Sequence, residues 1–171
     1  MAEFFVIEGD VTAAPSDLLL LKYARDFYGA DKLVAERLVA SNRYKAKAMR
    51  PEPGDFVIVD SSGVIAPRQV MFLGTPELPA FNYDEMYVFA RTALLNIKKL
   101  GLAVRDITTT VHGSNCGFDA ETSLENLVRG FRDELARSKS STVQSITFLT
   151  LESREFRKLN AKLLDIASEF E

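Results

Sequence analysis

The sequence predicts a three-layer α/β domain on a mixed, largely parallel sheet. Over its C-terminal two-thirds, β-branched and aromatic runs alternate with amphipathic stretches of helical period. That pattern belongs to parallel strands joined by helical crossovers, with helices on both sheet faces. The run Leu18-Leu19-Leu20-Leu21 is closed by Asp17 and Lys22, which suits a short buried strand. With 171 residues, 47% apolar and 26% charged, the chain fits one domain over 1–171 and has too much apolar matter for disorder.

The elements follow in order. Phe4-Phe5-Val6-Ile7 is aromatic and β-branched and predicts a first strand, stopped by Glu8-Gly9-Asp10. Leu18 to Leu21 is the second. A helix is expected over about 30–40, with Leu33, Val34, Arg37 and Leu38 on one stripe and Asp31, Lys32 and Glu36 outside it. The basic segment 41–54, with Pro51 and Pro53, reads as a mobile loop or a joint between halves. Phe56 to Val59 and Gln69 to Leu73 are strands that can pair as a hairpin with a wide connection. The helix over 83–100 is well marked. Asn82 can cap it with Glu85 as reciprocal partner, Lys98 and Lys99 suit its last turn, and Gly101 supplies a left-handed stop. A Thr- and Val-rich strand over 106–111 follows. Then comes a helix capped by Asp119, with Leu124, Leu127, Val128, Phe131 and Leu135 on one face. A strand over 143–151 and a helix over 153–168 close the chain. The phenylalanines are expected in the core.

Composition narrows function. Lys plus Arg is 21 and Asp plus Glu is 24, for a net charge of −3. A mildly acidic chain argues against a nucleic-acid partner, since nonspecific binding neutralises phosphates with clustered cations. No apolar run reaches the roughly 20 residues that cross a bilayer. No basic segment precedes an apolar one at the start, so a cytoplasmic, non-membrane location is expected. One cysteine, Cys116, and one histidine, His112, argue against a metal site, an intrachain disulfide and most Ser-His triads. No cofactor is expected.

Ligands of open α/β sheets bind beyond the carboxyl ends of the parallel strands. Three loops there carry small or polar residues. In Gly9-Asp10-Val11-Thr12, Asp10 either bonds nearby backbone N–H groups in a turn or accepts from an adenine amino group. Gly74-Thr75-Pro76 ends the fourth strand. His112-Gly113-Ser114-Asn115-Cys116-Gly117-Phe118 runs from a strand into a helix. Its two glycines and the N–H groups of the helix start can cradle a diphosphate, or it is only a tight turn. No Walker lysine and no Gly-x-Gly-x-x-Gly accompanies it, which removes nucleoside-triphosphatase and dinucleotide-dehydrogenase readings. His112 can contact a phosphate, act as a base or make a structural hydrogen bond. Cys116 reads as a packed or ligand-adjacent thiol. The basic run Arg43-Tyr44-Lys45-Ala46-Lys47, with Arg50, either steers an anion or is a solvated face.

Phe5 to Thr12 resembles the opening strand and Gly-Asp-Ile-Thr signature of macro domains, and Thr110 to Phe118 occupies the place of their diphosphate loop. Gly113 to Phe131 is similar to divergent macro-like domains beside caspase-like (CHAT) proteases and other defence-type effectors, and to the N-terminal domain of leucine aminopeptidases. The resemblance implies a non-catalytic sensor of a nucleotide-derived ligand, an ADP-ribose derivative or cyclic relative, that regulates a partner or a fused effector domain. The loop 113–118 would surround the phosphates, Gly9 to Thr12 would face the base and Gly74 to Pro76 would form a wall. The family's Asn-Ala-Ala-Asn stretch and Gly-rich catalytic loop are missing after the second strand, where Lys22-Tyr23-Ala24-Arg25-Asp26 stands instead. This weakens a third reading, ADP-ribosyl hydrolase. The alternative of another class is an interaction or homo-oligomerisation module with the pocket lost.

Overall fold

In a computed structural model, which describes residues 2–77, 80–112, 117–138 and 141–169, six strands form one sheet. They are β1 (Glu3–Glu8), β2 (Leu18–Tyr23), β3 (Phe56–Asp60), β4 (Gln69–Gly74), β5 (Asp106–Thr110) and β6 (Ser145–Thr150). Their spatial order is β1-β6-β5-β2-β4-β3. Every neighbouring pair is parallel except the β3–β4 hairpin. The sheet is therefore mixed and largely parallel, as the sequence predicts.

The four helices are α1 (Gly29–Ala40), α2 (Tyr83–Lys99), α3 (Ala120–Arg137) and α4 (Ser153–Ser168). Strand alternation sorts them into two layers. Leu18 and Leu20 of β2 pack with Phe89, Leu127, Phe131 and Leu159, from α2, α3 and α4. Leu19 and Leu21 point the other way, into a second core with Val34 and Leu38 of α1 and with Met49. All four leucines are fully buried, each worth about 1.5–3 kcal/mol relative to exposure. That is why this strand is apolar at every position rather than at alternate ones.

The helix ends follow the sequence. The Glu85 N–H donates to Asn82 Oδ1 at 3.1 Å, and the Thr122 N–H donates to Asp119 Oδ2 at 2.8 Å. Gly101 takes φ +63° after α2.

Four expectations need correction. The charge of Lys22 does not end β2, which continues through it to Tyr23. Asp31 is buried while Leu33 is 38% exposed, so the inner face of α1 is rotated from the predicted stripe; an ion pair described below draws Asp31 inward. The segment 41–54 is not a joint between halves. It holds a 3-10 turn, Ala46–Met49, whose Met49 is fully buried in the core under α1, because one apolar side chain on a polar segment suffices to anchor it. Phe5 is exposed, because it lies on edge strand β1 facing away from α4. The basic run is partly structural: Arg43 pairs with Asp60 at 3.0 Å, and the Tyr44 hydroxyl donates to the Asp60 carbonyl at 2.9 Å.

Helices α2 and α3 cross closely at Gly130. A Cβ there would stand 2.4 Å from the Tyr87 carbonyl oxygen and 2.9 Å from the Ala90 Cβ. Two helix backbones cannot both yield, so Gly130→Ala is expected to lower unfolding free energy by about 1–3 kcal/mol, although alanine is the better helix former. Urea denaturation checks this; an unchanged or raised midpoint contradicts it.

Candidate functional site

The strand order brings the carboxyl ends of β1, β6, β5 and β2 side by side. Above them opens a cleft of about 480 Å³. Residues after β1 (Gly9, Asp10, Val11), the end of β2 (Lys22), the start of α1 (Tyr28 to Asp31), the end of β5 with its loop (Thr110 to His112) and the end of β6 running into α4 (Leu149 to Glu152, Glu155) line it. Crossover topology alone creates this: each parallel strand must release the chain into a loop on the same side of the sheet.

At one end, Asp10 closes a turn. Its Oδ1 accepts the Thr12 N–H at 2.7 Å and the Thr12 hydroxyl at 2.8 Å. These bonds hold its carboxyl below the usual carboxylate range, with a smaller contribution from the Arg37 charge. Arg37 also donates to Thr12 Oγ1 at 2.9 Å. Oδ2 of Asp10 bonds no described residue, so an ionised acceptor remains available.

In the floor, the Lys22 ammonium donates to Asp31 Oδ2 at 2.8 Å, with side chains 9% and 4% exposed. Burial pushes the Asp31 carboxyl up, against the pull of Lys22. The pair ties the end of β2 to the first turn of α1. Sequence reasoning assigned neither residue to the site. The available signal was Lys22 closing an apolar strand, with Asp31 nine positions on beside Gly29.

His112 is buried between aromatic rings, edge-on to Phe89 at 4.5 Å and to Phe81 at 6.4 Å. Its Nδ1 lies 3.4 Å from Thr110 Oγ1, a long contact, and among the described residues its Nε2 has no partner. Burial, then the Lys22 charge, lowers its pKa well below the ordinary 6.5, so the ring is neutral. At the far wall the Thr150 hydroxyl donates to the Glu155 carboxylate. Asp10, Asp31, Glu152 and Glu155 thus face a single cation, Lys22, among the described residues of the lining. No group of His, Cys, Asp and Glu that could hold a metal occurs among the described residues.

Of the sequence-predicted site residues, Gly9, Asp10, Val11 and His112 line the cleft. Thr12 stands behind Asp10, buried. Gly74, Thr75 and Pro76 are not among the lining residues. Gly74 is overlaid by the Glu52 carbonyl, 2.0 Å from where a Cβ would sit, and the Thr75 N–H donates to the Tyr23 carbonyl at 2.9 Å. Gly113, Ser114, Asn115 and Cys116 lie outside the described residues. Gly117 takes φ +86°, and Phe118 packs edge-on to Tyr83 at 5.3 Å.

No family model matches the sequence, and no curated protein shows significant similarity. Solved structures do. The Trypanosoma brucei macrodomain in complex with ADP-ribose superposes with a TM-score of 0.75 at 14% identity, covering 94% of this chain and 68% of that one. The fold is that of a macrodomain. The Oceanobacillus iheyensis macrodomain agrees, with ADP (TM-score 0.73, 13% identity, 96% and 92% coverage) and with MES bound (0.72, 14%, 96% and 92%). In this macrodomain fold the cleft occupies the sheet end that its topology predicts for a ligand.

Two outcomes test the floor. Lys22→Met leaves a buried carboxylate unpaired and is expected to cost about 3–5 kcal/mol, most of it recovered in Lys22→Met/Asp31→Leu; urea melts of both variants check this. The unfolded chain protonates its one histidine near pH 6.5 and the folded chain does not. The contribution of His112 is therefore complete above that pH and is lost as pH falls below it, by up to about 1.4 kcal/mol per pH unit. In His112→Gln this part of the slope between pH 7.5 and 5.5 is expected to vanish.

Proposed function

We propose that the cleft binds an ADP-ribose-type nucleotide without turning it over, and that the domain reports occupancy to a protein partner or an effector domain. The observation that carries this is the open cleft of about 480 Å³ with an ionised, half-engaged Asp10 at one end. The volume suits a small-molecule site, for which roughly 300–1,000 Å³ is usual. Solved macrodomains in complex with ADP-ribose and with ADP share the fold. In this reading Asp10 accepts from the adenine amino group, and backbone amides of the loop 113–118 meet the diphosphate.

The reading without turnover rests on how the acid–base groups are engaged. Asp31 is held by Lys22, Glu155 by Thr150 and Asp10 by Thr12. The His112 imidazole is sealed between phenylalanines. A general base needs a free lone pair within reach of the reacting group; Asp31 and Glu155 each commit a carboxylate oxygen to a partner, and in this reading Asp10 Oδ2 is kept for the adenine amino group. An acidic lining also disfavours ligands with more charge than a diphosphate. Exposed Ile7 and Leu151, beside the cleft, with Phe5 further along β1, supply apolar surface for the partner that reads occupancy.

Calorimetry with ADP-ribose is expected to give saturable binding, weaker for ATP, with unaltered ADP-ribose recovered by chromatography. Asp10→Ala is expected to weaken it by about tenfold or more, the worth of one charged hydrogen bond. Absence of heat at high micromolar ligand removes the binding reading; released product removes the non-catalytic one.

A further inference from the structure

A second cavity, of about 780 Å³, lies at the opposite end of the sheet from the cleft. It is formed where the chain enters β1, β5 and β6 and leaves α3. We propose that it is a binding site for a small amphipathic carboxylate, an aliphatic tail carrying one anionic head.

Three observations converge on that chemistry. The inner wall is apolar: Val143 is buried, and Phe4 and Leu135 are partly buried against the main core. The rim carries two guanidinium groups, Arg105 and Arg132, and no Asp or Glu is among the described lining residues. This is the reverse of the cleft, on a chain whose net charge is −3. The Arg105 side chain has no ion-pair or hydrogen-bond partner among the described residues. Lastly, the Ser138 hydroxyl lines the cavity, is buried within a residue only 8% exposed, and has no hydrogen-bond partner among the described residues. A buried hydroxyl without a partner is costly unless something supplies one. A carboxylate there would accept from Ser138 and from the guanidinium fork, whose planar geometry matches it. The tail would cover Phe4, Leu135 and Val143. A cation would meet the Arg105 charge, and a short polar anion would leave the apolar wall wet.

The test is calorimetric titration of the full chain with sodium octanoate, alongside acetate and octylammonium at the same concentrations. Saturable one-to-one binding of octanoate is expected at roughly millimolar concentration or below, with none for acetate or octylammonium. Arg105→Gln, at an exposed position, is expected to weaken octanoate about tenfold. Ala136→Trp, exposed at the rim, is expected to fill the cavity and abolish binding while the urea midpoint stays unchanged. Failure of octanoate to saturate overturns the proposal. So do equal binding of octylammonium and undiminished binding by a folded Ala136→Trp protein.

Discussion

The buried ion pair between Lys22 and Asp31 is the interaction on which the functional end of this molecule depends. Each charge alone would be untenable at that depth, since removing an ion from water costs several kcal/mol even after relaxation. Together, at 2.8 Å, they let a strand that opens with four leucines bury a cation near its end and a helix carry an inward carboxylate in its first turn. The pair fixes where α1 starts, and the start of α1 is one wall of the cleft. One contact thus couples local geometry and stability.

The remaining site groups follow the same economy. Asp10 shapes its turn through Oδ1 and presents Oδ2. The neutral ring of His112 packs with Phe81 and Phe89 and serves as a wall. Among the described lining residues the cleft carries four carboxylates and one ammonium, and the second cavity two guanidiniums and no carboxylate, so the two differ in sign although they belong to one sheet. In a domain with a net charge of −3, such separation selects ligands by charge before any specific contact forms.

Much of this was legible in the chain itself. Strand and helix order, the β3–β4 hairpin, the Asn82 and Asp119 caps and the Gly101 stop all rest on neighbours within a few residues, where the sequence states the physics directly. The turn at Gly9 to Thr12 was legible for the same reason. The inward face of α1 was not. Helical periodicity ranks Leu33 as core and Asp31 as surface, and only the arrival of Lys22 from another element reverses that order. Gly74 read as a site residue because it is small and stands at a strand end; here the group over it is the Glu52 backbone.

The sequence by itself determined the layers, the elements and the end of the sheet at which a cleft must open, because periodicity and crossover connections are local or topological properties. Tertiary structure decided which side chains face that opening, which charges are neutralised by a partner distant in the chain, and that a second cavity of opposite charge lies at the other end. Those outcomes depend on distances between elements, and a distance between elements is not written in any one segment.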